Sequence, residues 1–222
     1  AEENSHFRSV DGWLYTKDGR TLYTCPAGKS GCIVIPESVK TIGSGAFASC
    51  TGLTVVTIPE GVKTIGELAF QGCTALTEIT IPEGVKTIEM FAFRGCSGLK
   101  SITIPASVET IGEYAFHGCT GLTEITIPES VKTIGEGAFW GCTALKSITI
   151  PADVKNIGKF AFRGCTGLTV VTIPEGVETI GKFAFRGCTG LTIYAPAGSA
   201  AETYAKENDL PFEAGNPPSD NH

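Results

Sequence analysis

Leu122-Thr-Glu-Ile-Thr-Ile-Pro-Glu-Ser-Val-Lys-Thr-Ile-Gly-Glu-Gly-Ala-Phe-Trp-Gly-Cys142 is one copy of a pattern that this 222-residue chain writes seven times, every 23 residues, without an insertion or deletion. Ile-Pro recurs from Ile35-Pro36 to Ile173-Pro174, phenylalanine from Phe47 to Phe185, and cysteine from Cys50 to Cys188. A fixed period in this size range is the signature of stacked repeats. Within the copy, Ile125 and Ile127 alternate with Glu124 and Thr126, which is strand periodicity. Pro128 cannot donate to a ladder and closes that strand. The β-branched stretch Val131 to Ile134 predicts a second, shorter strand. Gly135 and Gly137 break regularity before Ala138-Phe139, where a 3₁₀-like turn is expected.

One unit cannot fold alone. Its apolar side chains gain roughly 9–18 kcal/mol on full burial, at about 1.5–3 each. Ordering its backbone costs at least about 23 kcal/mol, at ~1 or more per residue. Stacking resolves the deficit, because neighbouring coils pair strands ~4.8 Å apart and bury each other's faces.

The iterated pattern Cys-x-x-Leu-x-x-Ile-x-Ile-Pro-x-x-Val-x-x-Ile-Gly-x-x-Ala-Phe resembles the BspA-like, Treponema pallidum-type leucine-rich repeat over about residues 33 to 193. That resemblance implies a β-rich, right-handed leucine-rich-repeat solenoid. It also implies a secreted or surface-anchored bacterial protein of the kind that adheres to host matrix proteins and other cells. The motif holds scaffold positions only, so no catalytic residue is carried over. Glu89-Met90-Phe91 departs from it, because other units have glycine at the first position; a distorted turn is expected there.

The organisation predicted is an N-terminal cap over 1–34, seven repeats over 35–190, a C-terminal cap over 191–214 and a linker or tail over 215–222. In the first cap, Lys17-Asp18-Gly19-Arg20 separates two apolar runs, a hairpin signal. In the second, Ser199 to Glu202 forms a capping box for a short helix with Ala201, Tyr204 and Ala205 on its apolar side and Asn208 as its stop. Such caps cover open sheet edges. The net charge is −6, with lysines alternating with glutamates and no basic stripe, which argues against nucleic acid. No apolar run approaches the ~18 residues of a membrane span. Ala1-Glu2-Glu3-Asn4 is polar and lacks the apolar stretch of a signal peptide, and the expectation is a mature or trimmed secreted chain.

Seven cysteines in one column lack the spacing of a metal site. Each is read as filling a small apolar slot. Cys25 and Cys32 lie off the register; they either close a small disulfide loop or remain free.

Two columns vary most among the repeats. The one before Ala-Phe reads Gly45, Leu68, Phe91, Tyr114, Gly137, Phe160 and Phe183, and the one after it Ala48, Gln71, Arg94, His117, Trp140, Arg163 and Arg186. The scaffold does not dictate them, and aromatics with arginine are the types enriched at binding hot spots. The competing reading is packing between coils, with arginine stems over the rings. Along the main strand, Glu78 and Glu124 share an outward column with Val55, Ser101, Ser147 and Val170. Candidate partner-binding residues are therefore Phe91, Arg94, Tyr114, His117, Trp140, Phe160, Arg163, Phe183, Arg186, Glu78 and Glu124. No phosphate loop, metal motif or nucleophile elbow appears, so neither catalysis nor a cofactor is expected. The expectation is a monomeric protein-binding or adhesion module at the cell surface. The alternative is a spacer that projects another domain.

Overall fold

A computed structural model describes residues 4–26 and 28–218. The expected tail over 215–222 lies outside the described residues from 219 onward. The chain is a β-solenoid. A hairpin opens it, with β1 (Phe7–Val10), β2 (Trp13–Thr16) and β3 (Thr21–Thr24) antiparallel in sequence order. The coils then build two parallel ladders. The main one contains β4 (Ser30–Val34), β6 (Gly52–Thr57), β8 (Glu78–Thr80) and β10 (Ser101–Thr103), followed by β13 (Ser147–Thr149), β15 (Val170–Thr172) and β17 (Thr192–Ala195). The shorter one contains β5 (Thr41–Ile42), β7 (Thr64–Ile65), β9 (Thr87–Ile88), β11 (Thr110–Ile111), β12 (Thr133–Ile134), β14 (Asn156–Ile157) and β16 (Thr179–Ile180). Between the inner coils pairing keeps the repeat register, for example Ile79 with Ile102 and Ile134 with Ile157, whereas β17 pairs with β15 one residue short of the period and β4 shifts register against β6 at Gly31/Cys32.

The Ala-Phe corner is a hydrogen-bonded turn rather than the 3₁₀ segment expected. It forms a third line of contact between coils. Each phenylalanine N–H, from Phe47 to Phe162, donates to the alanine carbonyl of the next coil at 2.7–2.8 Å. The seven rings from Phe47 to Phe185 are fully buried and stack 4.8–5.4 Å apart, within 7° of parallel. Both ends of this column are closed by an aromatic ring set edge-on, Trp13 against Phe47 at 5.8 Å and Tyr204 against Phe185 at 5.9 Å.

Burial alone does not account for the cysteines. From Cys73 to Cys188, each thiol donates to the phenylalanine carbonyl of the preceding coil at 3.1–3.2 Å. The column is therefore a ladder of S–H···O bonds inside the core. Burial pushes the Cys73, Cys96 and Cys119 thiols well above their ordinary pKa, to about 12 for Cys119, so these three remain protonated donors. All nine cysteines are free. Cys25 is buried beside Cys50, whereas Cys32 is exposed on β4 with its sulfur 3.8 Å from the Thr54 hydroxyl, so the possible Cys25–Cys32 loop closure is not formed.

Each ladder opens at one defined place. The short ladder breaks between β7 and β9. At Gly43, Gly66, Gly112, Gly135, Gly158 and Gly181 an added Cβ would lie within 3.0 Å of the preceding coil's backbone. Coil three has Glu89 at that position, and its side chain keeps the two coils from closing. The departure seen in the sequence thus costs a ladder step, not only a turn. The main ladder opens around Glu124 to Thr126, which the alternation predicted as a strand but which pairs with neither β10 nor β13. The Ala-Phe bonds stay closed at the same coils, so the stack fans apart on the main-strand side.

At the C-terminal end β17 completes the main ladder, and α1 (Ala200–Glu207) lies over the last coil. Ser199 caps it by accepting from the Glu202 N–H at 3.3 Å, and the Glu202 carboxylate accepts from Gly198 N–H at 2.6 Å. Ala201, Tyr204 and Ala205 are buried, and Asn208 ends the helix. A final strand, β18 (Phe212–Ala214), pairs with β17 and covers the edge. It follows no repeat, so periodicity could not have found it.

Candidate functional site

Outside the buried phenylalanine column runs a second line of rings, half in solvent. It begins at the residue before each alanine. There the backbone is left-handed in every coil, with φ of 64° at Gly45, 60° at Leu68, 58° at Phe91, 54° at Tyr114, 58° at Gly137, 58° at Phe160 and 63° at Phe183. Glycine takes this conformation freely, whereas a side chain there costs about 1–2 kcal/mol. The turn needs only glycine, as Gly45 and Gly137 show, yet four of the seven positions hold an aromatic ring. Strain of this kind persists only where something opposes it, and it concentrates at functional surfaces.

The rings support one another. Phe91 stacks on Tyr114 at 5.3 Å and 17°, and Phe160 on Phe183 at 5.8 Å and 18°. Gly137 leaves room for the Tyr114 ring above it. Trp140, from the column after Ala-Phe, bridges the gap, 6.3 Å from Tyr114 and 5.7 Å from Phe160. His117 lies 5.2 Å from Trp140. Arginines lie over the ring faces. Arg94 is 5.3 Å from the Phe91 centroid, Arg163 is 4.5 Å from Trp140 and 5.4 Å from Phe160, and Arg186 is 5.2 Å from Phe183. The Tyr114 hydroxyl donates to the Glu136 carboxylate at 2.5 Å, a bond that, with burial, pushes its pKa up to about 12. Burial and then the Arg94 charge hold His117 below its ordinary value, so its imidazole is neutral at pH 7.

Nine of the eleven candidate residues therefore form one ribbon along the stack: Phe91, Arg94, Tyr114, His117, Trp140, Phe160, Arg163, Phe183 and Arg186. Inter-coil packing and surface display coexist in it. Rings and arginine stems pack, while Arg94 and Arg186 remain exposed and the rings half-exposed. Glu78 and Glu124 are exposed on the main-strand side and join no ribbon contact; Glu124 borders the open step. Two further members, Lys159 and Lys182, escaped the sequence reading, although Lys182 sits 4.8 Å from the Phe183 ring. Their signal was the column after the repeat glycine, which reads Ser44, Glu67, Met90, Glu113, Glu136, Lys159 and Lys182. Among the described residues no cluster of three or more His, Cys, Asp or Glu could hold a metal, and no helix is long and apolar enough to cross a membrane.

The repeat pattern matches the BspA type Leucine rich repeat region, in six copies, over residues 22–142 and 86–199. The chain belongs to this family. None of the curated proteins matches its sequence. Among solved structures, the T. pallidum leucine-rich repeat protein is 30% identical, with 96% of this chain and 99% of that one covered and a TM-score of 0.73. A leucine-rich repeat protein from Bacteroides ovatus is 30% identical over 88% of this chain, with a TM-score of 0.72, and one from Eubacterium ventriosum is 30% identical over 84%, also with a TM-score of 0.72. This BspA-type chain spans about half the length of those two, 54% and 51%.

Proposed function

We propose that this BspA-type solenoid is a non-catalytic protein-binding module at the cell surface, and that the aromatic and arginine ribbon is its contact face for host or neighbouring-cell proteins. The observation that carries this reading is the left-handed position that holds Phe91, Tyr114, Phe160 and Phe183 where glycine suffices. The core does not require those rings, because Gly45 and Gly137 build the same corner without them. Rings with arginines over them offer rigid, pre-ordered anchors, which lowers the entropy lost on binding. Solenoids present extended surfaces rather than deep pockets, which suits a protein partner. Repeats of this type are typically surface-associated, which supports an extracellular location.

Uniformity of the inner column favours the second reading, a spacer that projects another domain. Immobilised protein tested against soluble extracellular-matrix proteins separates the two. Capture should weaken at least about tenfold in Trp140→Ala and in Arg163→Ala, as hot-spot truncation predicts. No capture at micromolar concentration would favour the spacer.

A further inference from the structure

The ribbon changes character along its length. Glu67, Glu113 and Glu136 accompany its first coils, whereas Lys159, Arg163, Lys182 and Arg186 occupy the last two. None of these four cations takes part in an ion pair among the described residues. In a chain of net charge −6, this end is a local reversal of sign. The cations also have fixed places, since Arg163, Lys182 and Arg186 lie over ring faces at 4.5–5.4 Å. Together with the stacking of Phe160 on Phe183, these contacts cover the ring faces.

Beyond Phe183 and Arg186 the ribbon runs into a cavity of about 440 Å³ between the last coil and α1, walled by Leu191, Tyr204, Leu210 and Pro211. Its lining is mostly apolar, with Arg186 its one cation and Asp209 its one carboxylate, so the positive charge lies along the ribbon and not inside the cavity. A base or sugar would need free ring faces on which to stack, and here they are covered. Carboxylates along a chain with one apolar side chain fit both features.

We propose that this end of the ribbon docks an acidic peptide segment of a partner protein, with one apolar side chain of that segment seated in the cavity and its carboxylates lying along Lys159, Arg163, Lys182 and Arg186. The proposal rests on the ribbon being the contact face.

The probe is a short fluorescent peptide of glutamates and serines with one central leucine. It is compared with the same peptide carrying serine in place of leucine, and with a heparin fragment. Wild type should bind the leucine peptide at least about tenfold tighter than the serine one, and added salt should weaken both. Lys159→Glu/Lys182→Glu should weaken both peptides at least about tenfold. Thr189→Trp, an exposed residue at the cavity mouth, should erase the leucine preference and leave the charge-dependent part. Circular dichroism of each variant checks the fold. Absence of peptide binding, equal affinity for the two peptides, indifference to the double charge reversal, or tighter binding of the heparin fragment would each overturn the proposal. If Trp140→Ala still reduces capture of matrix proteins while the peptide fails to bind, the contact face stands and the acidic occupant falls. If neither effect is seen, both fall.

Discussion

Single residues decide where this stack is tight and where it is loose. Glu89 has the clearest effect, because its six counterparts in the other repeats are glycines pressed against the neighbouring backbone. Glu89→Gly should close the short ladder between β7 and β9. The gain is about one or two hydrogen bonds, at ~1 kcal/mol each, less ~0.5–1 for the flexibility of glycine. A rise in melting temperature of roughly 1–4 °C is the expected outcome of calorimetry. Burial, then the nearby Glu67 charge, raises the Glu89 pKa. The folded chain thus binds this proton more tightly than the unfolded chain. Its contribution to stability is present at acid pH and is lost as pH rises from the ordinary value of 4.5 through the raised one. Glu89→Gln should gain on wild type across that window and match it below, which denaturant titrations at several pH values would check. The thiols make a second prediction. Cys32 is exposed and the other eight cysteines are buried, so a thiol reagent should modify one group rapidly in the native protein and nine after denaturation. Rapid modification of several native thiols would contradict the S–H···O ladder.

At the scale of elements, the C-terminal helix stands in for a coil that is not there. In each earlier coil but the last, the phenylalanine N–H finds the next alanine carbonyl, whereas Phe185 N–H is met by the Tyr204 hydroxyl at 3.3 Å. Tyr204→Phe keeps the edge-on ring and strands that N–H, at about 1–3 kcal/mol. Tyr204→Ala also empties the cap, for about 3–5 kcal/mol. Thermal melts should rank the two in that order. Ladders, turn corners and this helix were legible in the sequence because isoleucine alternation, Pro128 and Ser199 act locally and repeat. Cys119 read as a space-filler, since its hydrogen-bond partner Phe93 lies 26 residues earlier in another coil. The left-handed corner was hidden differently. Phe160 and Phe183 mask a position whose nature shows only at Gly45 and Gly137, so a mixed column read as variable rather than strained. Glu124 to Thr126 alternate like a strand and still lack partners, because pairing depends on how the whole stack fans and not on local pattern.

For the whole molecule, the central claim is a division of labour between two aromatic columns. The inner one holds the coils, and Phe139→Ala alone should remove about 3–5 kcal/mol. The outer one is anchored in left-handed positions and half-exposed. Replacing one of its rings by glycine loses roughly 1–1.5 kcal/mol of burial and ~0.5–1.5 of stacking, and relieves about 1–2 of backbone strain. Each outer site is thus worth about 1 kcal/mol to the fold. The triple variant Tyr114→Gly/Phe160→Gly/Phe183→Gly should therefore melt cooperatively, no further below wild type than the single inner variant. The most direct test is capture of extracellular-matrix proteins by that triple variant at a temperature where its circular dichroism matches wild type. Loss of capture from a folded chain is the predicted result. Undiminished capture, or a chain that no longer folds, would contradict it.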